Sequence, residues 1–329
     1  MTSTQGAPSS YSAVGKPAVY RVGSCLLLLL ACLADLSAQE KVRSHQQRFA
    51  SSTVKSKLAE AEATGRLNKN PKDVKALTER GLARLSLGLV KTAIADFELA
   101  VALDRASSEP WACLAYGLWM QGELKPALVA AREALARNPE HASAHWYAGR
   151  LLLLTSGDLH DAIGHLERAL ELNPEEPGIR LDLLMAYRAA GELTRAWVQL
   201  RPLRAALSAS DSRLLYAEGL LASDLARPAL AIDRFRQALA ANPQMLEARN
   251  GLGVALVQAE QWQEAINVLS PLSSEQPQSF RVAYLLALAL HHAQRRSEAE
   301  QEVRRALKLN PTSTEASALL AKVVAPANH

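Results

Sequence analysis

The sequence predicts an all-α fold: a solenoid of antiparallel helix pairs stacked along one direction. Three observations carry that expectation. Pro139, Pro174, Pro243, Pro277 and Pro311 recur at spacings of 35, 69, 34 and 34, multiples of one unit, and a fixed period of about 34 residues is the mark of a stacked helical array. Each proline follows an alanine-rich amphipathic stretch. Within a unit, two stretches of helical periodicity are separated by a short break and ended by a stop.

The stretch from Ser108 to His141 shows the plan. Trp111, Leu114, Ala115 and Leu118 fall at i, i+3, i+4 and i+7, one buried face of a helix. Gly122 then supplies the left-handed conformation of a turn. Ala127, Ala131 and Ala134 mark the face of a second helix. Asn138-Pro139 ends it, with asparagine expected in the left-handed region and proline unable to continue the helix. Glu140 suits the start of the next helix, where the dipole favours negative charge. Small residues at the crossing let two helices joined by a short turn lie close. A lone pair cannot bury its apolar faces, so the next pair must cover them.

These residues resemble the tetratricopeptide repeat family, whose pattern has large apolar residues at unit positions 4, 7 and 11, a small one at 8, alanine at 20 and 27, an aromatic or leucine at 24 and proline at 32. From Val74 the first unit has Leu77, Gly81, Ala93, Phe97 and Ala100, with Arg105 in the place of proline. The second has Trp111, Leu114, Ala115, Leu118, Ala127, Ala134 and Pro139. The third has Ala148, Gly149, Leu152, Ala162, Leu166, Ala169 and Pro174, with one extra turn residue around Thr155 to Asp158. Leu183, Tyr187, Ala196, Leu200 and Leu203 form a weaker fourth unit that lacks its proline. The fifth has Leu215, Gly219, Ala231, Phe235, Ala238 and Pro243. Leu252, Gly253, Leu256, Ala265, Leu269, Leu272 and Pro277 make the sixth; Leu286, Ala287, Leu290, Ala299, Val303, Ala306 and Pro311 make the seventh. The resemblance implies a right-handed superhelix of seven repeats over residues 74–313.

Both ends read as caps that keep terminal faces soluble. Over residues 314–329, Thr314 to Val324 reads as a helix with Leu320, Ala321 and Val324 inward and Glu315, Ser317 and Lys322 outward. Within residues 39–73, Arg43 to Arg66 reads as a polar helix with Phe49, Val54 and Leu58 spaced to dock, closed by Gly65 and Asn70-Pro71, a capping helix or a degenerate repeat.

Residues 1–38 form a separate segment. Lys16 and Arg21 precede the uncharged run Val22 to Ala34, which ends at Asp35. The run is shorter than the roughly 20 residues that span a bilayer. It suits the core of an export signal, with Leu36-Ser37-Ala38 as a cleavage site, or an uncleaved anchor. Leu29-Leu30-Ala31-Cys32 also resembles a bacterial lipoprotein box, which would place a lipid on Cys32. Either way the chain is expected to be exported, periplasmic or envelope-associated, touching membrane only through this segment or a lipid on Cys32. Cys113 is then the one remaining thiol, a packed side chain that forms no internal bridge.

The formal net charge is +4, of which Lys16 and Arg21 against Asp35 contribute +1 before residue 39. That balance, interleaved with acids, gives no footprint for nucleic acid. Phosphate-binding glycine loops, nucleophile elbows and haem or metalloprotease motifs are missing from the sequence. His141 and His145 lie four apart without a third ligand of fixed spacing, and His291-His292 are adjacent, so surface or groove histidine is the reading for each. No catalytic domain, cofactor or metal is expected.

A partner surface is expected instead. Positions 2, 5, 9, 12 and 13 of each first helix share a stripe beside the buried face. The resemblance implies that this stripe lines a concave groove for an extended peptide or a partner helix. Tyr116, Trp119, Trp146, Arg150, Met185, Arg188, Tyr216, Asn250, Tyr284 and His291 are its candidate contacts, rich in the aromatic and arginine residues that anchor interfaces. Position 9 carries Leu82, Tyr116, Arg150, Met185, Leu220, Val254 and Leu288, which builds no lysine–asparagine clamp for a C-terminal carboxylate. The expected function is a non-enzymatic protein-interaction module, or else an envelope-tethered lipoprotein scaffold for a multiprotein assembly.

Overall fold

The computed structural model describes residues 52–155 and 158–325, and the described residues form sixteen α-helices and no strand. The helices are α1 (52–69), α2 (Val74–Ser86), α3 (Val90–Leu103), α4 (Ser108–Gln121), α5 (Leu124–Arg137), α6 (Ala142–Thr155), α7 (Leu159–Leu172) and α8 (Pro177–Ala189). They continue as α9 (Leu193–Ala206), α10 (Ser212–Asp224), α11 (Pro228–Ala241), α12 (Leu246–Gln258), α13 (Trp262–Glu275), α14 (Phe280–His292), α15 (Arg296–Leu309) and α16 (Thr314–Val324). From α2 to α15 they pair as hairpins, and each second helix also packs on the first helix of the following pair. This is the all-α solenoid expected from the period.

The core follows from alternating small and large residues. Ala93, Ala127, Ala162, Ala196, Ala231, Ala265 and Ala299, one per second helix, are all 0% exposed. One turn further on, Phe97, Leu166 and Phe235 are also fully buried. Phe235 fits because Gly219 and Gly251 face it from two successive first helices, where a Cβ would stand 2.7 and 2.6 Å from its ring. Buried carboxylates tie helices together. Asp96 accepts from Arg80 at 2.6 Å and Arg84 at 2.8 Å, and Arg84 also reaches Glu60 of α1 at 2.9 Å. Glu218 is held by Arg204 at 2.6 Å and Arg234 at 2.8 Å.

In six of the seven hairpins the described turn places one residue in the left-handed region. Gly88, Gly122 and Gly191 supply it, with φ of 77, 89 and 76°. In later units the same place holds Ala226, Glu260 and Gln294, with φ of 54, 56 and 62°, where a Cβ crowds the backbone. Ser156 and Gly157, part of the extra turn of the third unit, lie outside the described residues.

Three local expectations need correction. Asn138 is extended (φ −138°, ψ 99°), not left-handed. Its side chain works instead: Oδ1 accepts from the Glu140 N–H at 3.0 Å, a local turn that spans the proline. The same contact recurs from Asn242 to Gln244 and from Asn310 to Thr312.

At the C-terminus, α16 buries Ala316, Leu319 and Val323 against the preceding pair. Ala321 and Val324, expected inward, are exposed, and Leu320 is half-buried. Those positions face a unit's own second helix, and α16 has none among the described residues. At the other end α1 runs through Gly65 rather than stopping there, and it docks through Ala63 and Leu67. Val54 and Leu58 are 66% and 60% exposed, and Phe49 lies outside the described residues. Also outside them are residues 1–38, expected to hold an export signal, with Cys32, and residues 39–51. Among the described residues no helix is long and apolar enough to cross a membrane.

Candidate binding groove

Successive first helices bring part of the expected stripe together. Tyr116, Trp119, Trp146, Arg150, Met185 and Tyr216 line one open groove of about 470 Å³, across α4, α6, α8 and α10. Met120, Leu181 and Met245 complete its apolar wall. The floor is a run of rings. Trp119 lies 5.8 Å from Tyr116, Tyr116 5.4 Å from Tyr147 and Tyr147 5.7 Å from Trp146, all stacked. The Arg150 guanidinium sits 4.6 Å from the centre of Trp119 and 5.1 Å from that of Trp146, close enough for cation–π attraction to both rings.

One carboxylate fixes this arrangement. Asp182 of α8 accepts from Arg150 Nε at 2.7 Å and from its second terminal nitrogen at 3.1 Å. The same carboxylate accepts from the Trp146 indole N–H. Gly178 makes room for that indole, since a Cβ there would lie 2.6 Å from the ring. The Glu176 side chain accepts from the Gly178 N–H at 2.9 Å and caps α8. Burial pushes the Tyr147 phenol well above its usual range, with nearby Tyr116 adding to the shift. Burial likewise raises Tyr216. Both phenols therefore stay neutral donors at physiological pH.

A second cavity of about 380 Å³ continues across α8, α10, α12 and α14 and shares Tyr216 with the first. It holds Arg188 and Asn250 of the expected stripe and is far more polar, with Ser223, Gln258, Gln276 and Ser279 in its walls. Arg188 pairs with Asp224, and Asn250 accepts from Gln276 at 3.3 Å.

Tyr284 and His291 line neither cavity. Tyr284 stacks on Phe280 at 6.0 Å, and His291 meets His292 edge-on at 5.4 Å. His292 itself stacks on Trp262 at 4.1 Å. Burial, then His292, lowers the His291 pKa.

Tyr147 and Asp182 escaped the sequence reading. Both stand at unit position 6, between the buried face and the stripe. The available signal was their alignment in successive units, 35 residues apart.

The other histidines do not gather into a ligand set. His141 Nε2 contacts Glu109 at 2.9 Å, whereas His145 and His165 join through their Nδ1 atoms at 2.9 Å. No group of three His, Cys, Asp or Glu among the described residues could hold a metal ion. Cys113 is buried, and desolvation, reinforced by Glu109, pushes its thiol well above the usual range, so it is an inert packed side chain.

Tetratricopeptide repeat models match residues 153–218, 215–289 and 261–323, and a further model of the same repeat matches residues 114–156. The chain belongs to the tetratricopeptide repeat family. No curated protein matches its sequence. Among solved structures, it is similar to a chain of the APC/C hetero-tetramer Cut9-Hcn1, with a TM-score of 0.70 and 18% identity over 81% of this chain. That match covers 52% of the Cut9-Hcn1 chain, so this protein spans about half its length. A tetratricopeptide repeat protein from Parabacteroides merdae ATCC 43184 gives a TM-score of 0.55 and 14% identity, over 77% of this chain and 99% of the other. At such identities the likeness is one of fold.

Proposed function

We propose that this tetratricopeptide repeat protein is a non-enzymatic interaction module that takes up a peptide segment or partner helix bearing aromatic or large apolar side chains. The observation that carries this reading is the ring-floored groove across α4, α6, α8 and α10. Half-buried Trp119, Trp146, Met185 and Tyr216 meet there around one positioned arginine. Rigid rings carry little rotamer freedom to lose, which limits the ordering cost of association on this side. Arg150 is neutralised by Asp182, so the groove favours apolar and aromatic contacts over a highly charged ligand.

Selection from a random peptide library on the full chain tests it. The recovered peptides should be enriched in aromatic and large apolar residues, and Trp119→Ala and Met185→Ala should each weaken them about tenfold, a hot-spot-sized loss. Undiminished binding by folded variants would contradict the proposal.

Export belongs to the same reading on sequence grounds, through the apolar run Val22 to Ala34 behind Lys16 and Arg21. The Leu29-Leu30-Ala31-Cys32 box supports a second reading, an envelope-tethered scaffold. Fatty-acid labelling of the wild type but not of Cys32→Ser would support the tether; equal labelling, or none, would remove it.

A further inference from the structure

The two ends of the described solenoid are each half a unit, and the halves complement one another. α1 stands where a second helix would, with no first helix before it among the described residues. Ala59, Ala63 and Leu67 precede Ala93, Phe97 and Val101 by 34 residues. Ala93 is 0% exposed beneath its hairpin partner, whereas Ala59 is exposed. The uncovered space is a groove of about 700 Å³ between two helix faces, Ala59 and Ala63 on α1 and Leu82 and Ala83 on α2.

α16 is the converse, a first helix whose second is not among the described residues. Leu320, Ala321 and Val324 follow Leu286, Ala287 and Leu290 by 34 residues. The earlier three are 4%, 0% and 3% exposed. Ala321 and Val324 are exposed.

We propose that a second copy of this chain completes both ends: α16 of one molecule seats in the α1–α2 groove of the next, forming an intermolecular hairpin. The contact continues one that the chain already makes within itself. Each first helix from α2 to α14 packs against its own second helix, and α4, for example, touches both α5 and α6. In that register Ala321 meets Ala63, the same small-against-small pairing as Ala115 and Ala131 in one buried cluster. Antiparallel seating carries Glu315, in the first turn of α16, toward Lys69 at the end of α1, opposite charges on the two partners.

Residues 53–55, which correspond to the turn at 87–89 before α3, are themselves helical. Because the two surfaces are unlike, the contact does not close on a pair and propagates head to tail.

Sedimentation of the full chain over a concentration series tests this. The wild type should grow beyond a dimer as concentration rises. Ala59→Arg and Ala321→Arg, both at exposed positions, should each remain monomeric. Their equimolar mixture should stop at a dimer, since each supplies the surface that the other lacks. A wild type that stays monomeric throughout, as it would if its own residues 40–51 covered the groove, overturns the proposal. So does assembly that neither substitution reduces, or a mixture that stays monomeric. The library peptides are scored separately on the monomeric variants, so the aromatic groove and the end-to-end contact fail independently.

Discussion

Trp146 and Asp182, 36 residues apart on neighbouring first helices, are joined by a hydrogen bond from the indole N–H to the carboxylate that also grips Arg150. The contact links the third unit to the fourth and holds the groove's rings at a set angle. Asp182→Ala leaves a guanidinium and an indole donor without a partner. The expected loss is about 1–3 kcal/mol, the cost of partly buried donors left unsatisfied. Asp182→Asn keeps an acceptor for Trp146 and should recover part of that. Chemical denaturation of the three proteins checks both, and an unaltered midpoint for Asp182→Ala would discard the role given to this carboxylate.

The left-handed turns give a prediction of opposite sign at two kinds of site. Gly122 has a φ of 89°, and Gly122→Ala should cost about 1–2 kcal/mol. Glu260→Gly and Gln294→Gly should instead stabilise. Each relieves a strained φ, and the greater freedom of glycine in the unfolded chain offsets part of the gain, leaving at most about 1 kcal/mol per site. Thermal unfolding of the single and double variants would read this, and a lower Tm for Gln294→Gly would count against it.

Much of the solenoid was legible because its packing forces composition. Alanine at position 20 recurs wherever a first helix must lie close, and Ala93 to Ala299 are buried as the pattern required. The stripe was legible for Trp119, Trp146 and Met185 for the same reason: helical spacing says which residues share a face. It does not say which neighbour is present. Leu320, Ala321 and Val324 do share a face, but the helix that would cover it is not supplied by the described residues. Nor does spacing within one helix reveal a contact between units, so Asp182 and Tyr147 went unread. Asn138 shows a further limit: its side chain ends the helix from an extended backbone, a role that its residue type permits but does not single out.

Overpacking tests the alternation of small and large. Gly219→Ala puts a Cβ 2.7 Å from the Phe235 ring, in a slot closed on the far side by Gly251. A loss of about 1–3 kcal/mol is expected. Pairing it with Phe235→Leu, which frees volume, should return part of the stability, and strict additivity of the two losses would argue that they do not share a cavity.

Acid should loosen the third unit. His145 Nε2 lies 2.8 Å from the Pro139 carbonyl and so carries a proton. One proton can then occupy the 2.9 Å gap between the two Nδ1 atoms. Burial first, then the His145 charge, lowers the His165 pKa from its ordinary 6.5. The folded chain therefore binds fewer protons than the unfolded one just below that pH. Stability should be fully present above pH 6.5 and fall as the pH drops from there through the lowered folded value. Urea midpoints between pH 8 and pH 5 should decline less for His165→Gln than for the wild type, and parallel declines would remove the pair as the cause.

Hydroxyl-radical footprinting of the full chain with and without a library-selected peptide tests the central claim most directly. Trp119, Met120 and Met185 line the groove, while Trp197 on the second helix α9 is 43% exposed and lines neither groove cavity. Bound peptide should slow oxidation at Trp119, Met120 and Met185 and leave Trp197 unchanged. Protection of Trp197 with the groove residues oxidised as in the free protein would contradict the account.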